Sequence, residues 1–86
     1  MKIMVYILRS QRNGRLYIGQ TNDLKRRLAE HAAGVTASTR GKGPWELLHS
    51  KEFATRHEAM VFEHKLKSWK SHKRILEWIA REKAED

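Results

Sequence analysis

Residues Ile3 to Leu8 form an unbroken apolar run, Ile-Met-Val-Tyr-Ile-Leu, rich in β-branched and aromatic side chains. A run without polar alternation predicts a strand buried on both faces, hence a central strand with a neighbour on each edge. The segment Ser10-Gln11-Arg12-Asn13-Gly14 carries an Asn-Gly hairpin signal, and Arg15 to Ile18 predicts the antiparallel return strand. That strand is expected to end at Gly19, where the chain can turn sharply. Thr21-Asn22-Asp23 then supply N-cap and first-turn acidic character for a helix beginning near Leu24. In this helix Leu24, Leu28 and Ala32 face the core, Lys25 and Arg26 point to solvent, and Arg27 and His31 flank the apolar stripe. Gly34 ends it.

From Ala33 to Pro44 the apolar pattern lapses. The stretch holds Gly34, Gly41, Gly43 and Pro44 with Thr36, Ser38, Thr39, Arg40 and Lys42, and predicts a loop that is either a mobile connector or a phosphate-contacting flap. Trp45 to Phe53 alternates loosely and predicts a third strand. Thr55-Arg56-His57-Glu58 has the form of a capping box, so a helix follows, with a core stripe of Ala59, Phe62, Leu66 and Trp69. Lys70 to Arg74 reads as a break or kink into a last helix with Ile75, Leu76 and Ile79 inward, and the tail from Arg81 to Asp86 as charged and frayed.

The order β-β-α-β-α-α predicts an α+β domain spanning residues 1–86, with no internal repeat or linker. A right-handed crossover from the second strand to the third gives a three-stranded antiparallel sheet of order 2-1-3 flanked by helices, with the fully apolar strand in the centre. Hairpin register decides whether Tyr6 and Tyr17 can cooperate. A two-residue Asn13-Gly14 turn sets Tyr17 opposite Ser10, roughly 13 Å along the strand from Tyr6. A four-residue loop from Gln11 to Gly14 pairs Tyr17 with Leu8 and makes Tyr6 its diagonal neighbour at about 7–8 Å. A shared site requires the longer loop.

Charge narrows the partner. Lys plus Arg number 18 against 10 Asp plus Glu, a formal net charge of +8, which points to a polyanion: DNA, RNA or an anionic membrane surface. No long basic amphipathic helix with exposed aromatics favours the membrane. The chain has no cysteine, which excludes disulfides and Cys-rich zinc sites. Its one N-terminal apolar run is too short for a signal core or for the roughly 20 residues of a membrane span. A soluble, cytoplasmic protein is expected.

Walker and dinucleotide glycine loops are absent, the five histidines lack HExxH spacing, and nothing resembles a nucleophile elbow. What remains is Tyr6, Tyr17, Arg27, His31 and Glu63 in a basic setting. Glu63 lies on the protein-facing side of its helix, where a lone carboxylate is costly. It either pairs with an arginine such as Arg27 or binds a metal. The set suits phosphodiester hydrolysis, which needs a deprotonated water, charge stabilisation on the phosphoryl oxygens and neutralisation of the leaving oxygen. A Glu-bound divalent cation and an Arg serve the last two needs, and a tyrosinate the first. Lowering a tyrosine from about 10 to about 7 takes about 4 kcal/mol of differential stabilisation, for which the metal, Arg27 and a hydrogen bond from His31 or the other tyrosine are the available sources.

These residues resemble the GIY-YIG nuclease family. Val5-Tyr6-Ile7 stands where the family has its first motif, and Tyr17-Ile18-Gly19 matches the second. The helix from Asp23 to His31 looks like the Arg-bearing helix, and Glu63 like the metal-binding glutamate, so the similarity runs over roughly residues 2 to 75. The resemblance implies Mg²⁺-dependent cleavage of DNA phosphodiesters by an endonuclease or nickase, with branched or damaged DNA among the candidate substrates and RNA not set aside. Tyr6 and Tyr17 would surround the nucleophilic water, Arg27 contact the scissile phosphate, His31 assist and Glu63 hold the metal. Lys25, Arg26, Arg40, Lys42, Lys67 and Lys70 are the candidate nucleic-acid contacts. Small single-domain members are the nearest match, and a partner protein is one candidate source of targeting. Two departures stand out: Val5 replaces the first motif's Gly, and the only asparagines, Asn13 and Asn22, lie outside the C-terminal part where some members carry one. The alternative is a non-catalytic, basic nucleic-acid-binding module with a vestigial site.

Overall fold

A computed structural model describes residues 2–36 and 39–84. Along the chain run β1 (Ile3–Ser10), β2 (Leu16–Thr21), α1 (Leu24–Ala33), β3 (Trp45–Phe53), α2 (Arg56–Ser68) and α3 (His72–Ala84). The sheet order is β2-β1-β3 with both pairings antiparallel, so the strand with the unbroken apolar run is central. Each face of β1 is covered by a different layer. On one face Ile3, Val5 and Ile7 join Ile18 of β2 and Ala59, Leu66, Ile75 and Ile79 of α2 and α3 in the hydrophobic core. On the other face Tyr6, Leu8 and Ser10 are buried just as fully. Period-two alternation thus sends odd positions to the core and even positions to a second, more polar layer.

The hairpin takes the longer loop. Ser10 N–H donates to the Arg15 carbonyl at 2.9 Å and Gly14 N–H to the Ser10 carbonyl at 2.9 Å, closing the four residues Gln11 to Gly14. Ser10 Oγ also accepts from the backbone N–H groups of Arg12 and Asn13. Leu8 consequently pairs with Tyr17, and Tyr6 with Gly19. On the other edge of β1 the register shifts between Ile7, opposite His49, and Leu8, opposite Leu47. The extra residue, Leu48, packs against the core while Leu47 stays with the second layer.

Several helix expectations need correction. β2 does not end at Gly19 but continues to Thr21. In α1 the one buried residue is His31, and Ala32 is exposed, because this helix covers the polar layer of the sheet and not the apolar core. Its N-cap is Asp23, whose carboxylate accepts from Arg26 N–H at 3.1 Å, and Gly34 caps its end at φ 74°. Thr55 caps α2 as expected, its Oγ1 accepting from Glu58 N–H at 3.2 Å, and the Glu58 carboxylate meets the Thr55 hydroxyl at 3.0 Å. In α3 Ile75 and Ile79 are buried, but Leu76 is exposed, being one residue off that stripe. The tail holds helix to Ala84, where fraying was expected from Arg81; Glu85 and Asp86, like Ser38 of the loop, lie outside the described residues.

Candidate active site

The second layer brings four of the sequence-predicted residues together. Tyr6, fully buried, projects from β1 across Gly19 of β2, so close that a Cβ on Gly19 would lie 2.6 Å from Tyr6 Oη. Gly19 therefore serves close approach of a side chain, not a turn. Tyr17 packs beside it with ring centroids 6.2 Å apart. His31, 3% exposed, comes down from α1 edge-on to both rings, with centroids 5.7 Å from Tyr6 and 5.0 Å from Tyr17. Its Nε2 stands 2.9 Å from Tyr6 Oη, while Arg27 Nε, one helical turn earlier, donates to the same oxygen at 3.3 Å. A strand tyrosine thus meets an arginine and a histidine at i and i+4 of one helix, the spacing that puts both on one face.

Burial governs the protonation of Tyr6 and His31. It raises the Tyr6 phenol above its ordinary value of 10.0, outweighing the hydrogen bond from Arg27 that pulls the other way. At Tyr6, then, the protein's own cations do not supply the downward shift expected of a tyrosinate base. Arg27 is held more firmly protonated, chiefly by its bond to Tyr6 and also by Glu30, whose carboxylate it meets at 3.2 Å. His31 is pushed below 6.5, first by burial and then by the nearby Arg27 charge, with Glu30 opposing. The imidazole is therefore neutral at pH 7.

Glu63 does not touch these four directly. Its carboxylate is 13% exposed and accepts from Gln20 Nε2 at 3.2 Å and from Lys67 Nζ at 2.6 Å. Arg27 is not its partner; Gln20, next after Gly19 on β2, links the α2 carboxylate to the strand that carries Tyr17. Arg56 donates to Gln20 Oε1 at 3.1 Å from the N-terminus of α2. An open cleft of about 370 Å³ lies here, walled by Arg26, Arg27 and Arg56 with Gln20, Asn22 and Glu30. Three guanidiniums around one polar cleft make an anion-attracting concavity. Neither Arg56 nor Gln20 is marked by the sequence pattern. Arg56 looks like a capping-box interior residue and Gln20 like part of a turn, and only the continuation of β2 brings them into line.

Among the described residues no group of three His, Cys, Asp or Glu could hold a metal ion between them. A single carboxylate is nevertheless a donor set that suits Mg²⁺, which keeps several waters and binds through one or two carboxylates plus substrate phosphates. The Lys67 ammonium on Oε2 marks where Glu63 already receives a cation. The residues fit such an ion. Of the other predicted nucleic-acid contacts, Lys25 and Arg26 are exposed on α1, Arg40 donates its Nε to the Gly34 carbonyl at 2.8 Å, and Lys42 sits exposed in the loop. Lys67 is engaged by Glu63, and Lys70 lies in the turn between α2 and α3 with φ 49°.

The loop after α1 is anchored through a residue that no sequence signal singles out. Thr39 is 1% exposed, its Oγ1 is 2.8 Å from His31 Nδ1, and its carbonyl accepts from Trp45 Nε1 at 3.4 Å. Trp45 in turn packs edge-on to Tyr17 at 6.3 Å. A threonine in a glycine-rich loop leaves no periodic trace, so only the fold reveals it.

Known proteins share this fold and family. The GIY-YIG catalytic domain matches residues 2–75. A UPF0213 protein of Oceanobacillus iheyensis is 48% identical over 64 residues, covering 73% of this chain and 73% of that protein. A UPF0213 protein of Bacillus pumilus is 43% identical over 72 residues, covering 83% and 72%. The solution NMR structure of a UPF0213 protein from Bacillus halodurans superposes with a TM-score of 0.60 at 34% identity, covering 93% of this chain and 84% of that one. The chain therefore belongs to the GIY-YIG family, as a small member similar to the UPF0213 proteins.

Proposed function

We propose that this protein is a metal-dependent endonuclease or nickase that hydrolyses DNA phosphodiesters in the cleft between β2, α1 and the start of α2. The observation that carries the reading is the hydrogen-bonded set of Tyr6, His31 and Arg27, of which Arg27 also lines a cleft walled by three arginines. Membership of a family of endonucleases supports it. Arg27 is oriented by Tyr6 and Glu30 so that its guanidinium lines the cleft, where it would bind the scissile phosphate and stabilise charge developing on its oxygens. Tyr17, half-buried beside the fully buried Tyr6, is the tyrosine nearer solvent and would orient the attacking water. Its ring packs against that of Tyr6, whose hydroxyl lies 2.9 Å from His31 Nε2, so a proton leaving Tyr6 passes to His31. The neutral imidazole can accept it.

Glu63 would hold a divalent cation, Mg²⁺ by its donor chemistry, which when bound supplies positive charge for the leaving oxygen and lowers the pKa of coordinated water. Gln20 fixes the Glu63 carboxylate from β2. Lys25, Arg26, Arg56, Lys67 and Lys70 add positive charge for the DNA backbone beyond the scissile phosphate. The test is incubation of the protein with supercoiled plasmid, single-stranded and branched DNA, with Mg²⁺ or EDTA, beside Glu63→Ala and Tyr17→Phe. Mg²⁺-dependent nicking lost in both variants supports the reading. Absence of cutting on all three substrates, or equal cutting by both variants, rejects it in favour of a non-catalytic DNA-binding module.

A further inference from the structure

We infer that Thr39 is a positioning residue that fixes the tautomer of His31, so that the loop following α1 acts as a lock on the site and not as a phosphate-contacting flap. The inference deepens the nuclease reading and rests on it for its kinetic consequence. Its structural content stands apart.

Thr39 is held by its backbone on both sides. Its N–H donates to the Thr36 carbonyl at 3.1 Å, and its carbonyl accepts from Lys42 N–H at 3.2 Å as well as from Trp45 Nε1. Arg40 Nε, one residue on, donates to the carbonyl of Gly34, the residue that caps α1. The hydroxyl is thereby carried to a fixed place under the helix, where it lies 2.8 Å from His31 Nδ1.

Proton counting then fixes the imidazole. A threonine hydroxyl has one proton to give. Thr39 Oγ1 donates it to the Thr36 carbonyl at 3.4 Å, an acceptor that has no proton to return. With that proton on the Thr36 carbonyl, the hydroxyl accepts at its 2.8 Å contact with His31, so Nδ1 carries the hydrogen and Nε2 is bare. The Tyr6 hydroxyl, 2.9 Å from Nε2, must then be the donor, while Tyr6 Oη accepts from Arg27 Nε. The chain of hydrogen bonds from the Thr36 carbonyl to Arg27 is satisfied in one direction, as buried groups require. The functional consequence is specific: His31 presents a lone pair to Tyr6 and can take its proton, which the other tautomer cannot do.

The test uses Thr39→Val, which keeps the shape and removes the hydroxyl, and Thr39→Ser, which keeps the hydroxyl. Nitrogen-15 NMR of the His31 ring, in the absence of DNA and metal, reads directly which nitrogen bears hydrogen. The expected result is Nδ1–H in the parent and in Thr39→Ser, with a mixture or a swap in Thr39→Val. For nicking, kcat in Thr39→Val is expected to fall about 10–100-fold, by analogy with loss of the outer hydrogen-bond partner of a metal-ligating imidazole, with KM for DNA nearly unchanged and Thr39→Ser near the parent. An Nε2–H parent overturns the inference outright. So does Thr39→Val with an unaltered tautomer. Should Thr39→Val fail to fold, the parent and Thr39→Ser spectra still decide the matter. A predicted tautomer pattern in a protein that cuts no DNA upholds the role of Thr39 and sinks the nuclease reading alone.

Discussion

The hydroxyl of Tyr6 lies over Gly19, leaving no room for a Cβ: one built there would stand 2.6 Å from Oη and 2.8 Å from Cζ. The tyrosine cannot simply swing away, since it is fully buried and its oxygen is bonded to His31 and Arg27. Gly19→Ala is therefore expected to destabilise the fold by about 1–3 kcal/mol through overpacking and to abolish nicking. Urea denaturation checks the first part. Combining it with Tyr6→Leu, whose side chain stops short of Gly19, should relieve most of the added cost; a fully additive double mutant would show that the two residues do not collide.

His31 gives stability a pH dependence whose sign follows from its depressed pKa. Well above pH 6.5, the ordinary value for histidine, the imidazole is neutral in both states and contributes nothing. As pH falls below that, the unfolded chain takes up a proton that the folded protein refuses, so stability declines until pH passes the folded pKa and then levels. Urea midpoints at pH 7.5 and pH 5 should show a fall in the parent and a smaller one in His31→Gln. An equal fall in both would remove His31 from the explanation.

The Lys67 ammonium competes with any cation at Glu63. Lys67→Met should tighten binding of Mn²⁺, followed by paramagnetic broadening of resonances from Gln20 and Glu63, and Glu63→Gln should abolish it. Because Lys67 is half exposed, breaking this pair should change stability by less than about 1 kcal/mol. Unchanged broadening in Glu63→Gln would locate the cation elsewhere.

Arg26 and Arg56 wall the cleft without belonging to the tyrosine cluster. Replacing each with Gln should weaken binding of a short duplex similarly across sequences and lower the slope of log K against log salt by about 1 for each phosphate no longer neutralised. Titrations at several salt concentrations measure it. A slope unmoved in the double variant would place the DNA on another face.

The strand, helix and capping signals carried the architecture because they are local. An unbroken apolar run such as Ile3 to Leu8 has few ways to be satisfied except at the centre of a sheet, and the box at Thr55 and Glu58 needs only neighbouring backbone to form. The candidate cluster of Tyr6, Tyr17, Arg27 and His31 was legible for a related reason: motif order and one helical turn of spacing place these residues once the sheet order is known.

By itself, then, the sequence determined the element order, the central strand and the side chains available for chemistry, since these follow from periodicity and local hydrogen bonding. Tertiary structure alone decided how those side chains meet. The Asn13-Gly14 signal favoured a tight turn, yet the Ser10 bonds to Arg15 and Gly14 close a four-residue loop, and that register sets Tyr17 beside Tyr6. It also decided that Gly19 serves close approach, that Glu63 pairs with Gln20 and Lys67, and that Thr39 reaches His31 from a loop without pattern. Each depends on contacts between residues distant in the chain, whose geometry is set by packing two layers onto one sheet and leaves no periodic trace along it.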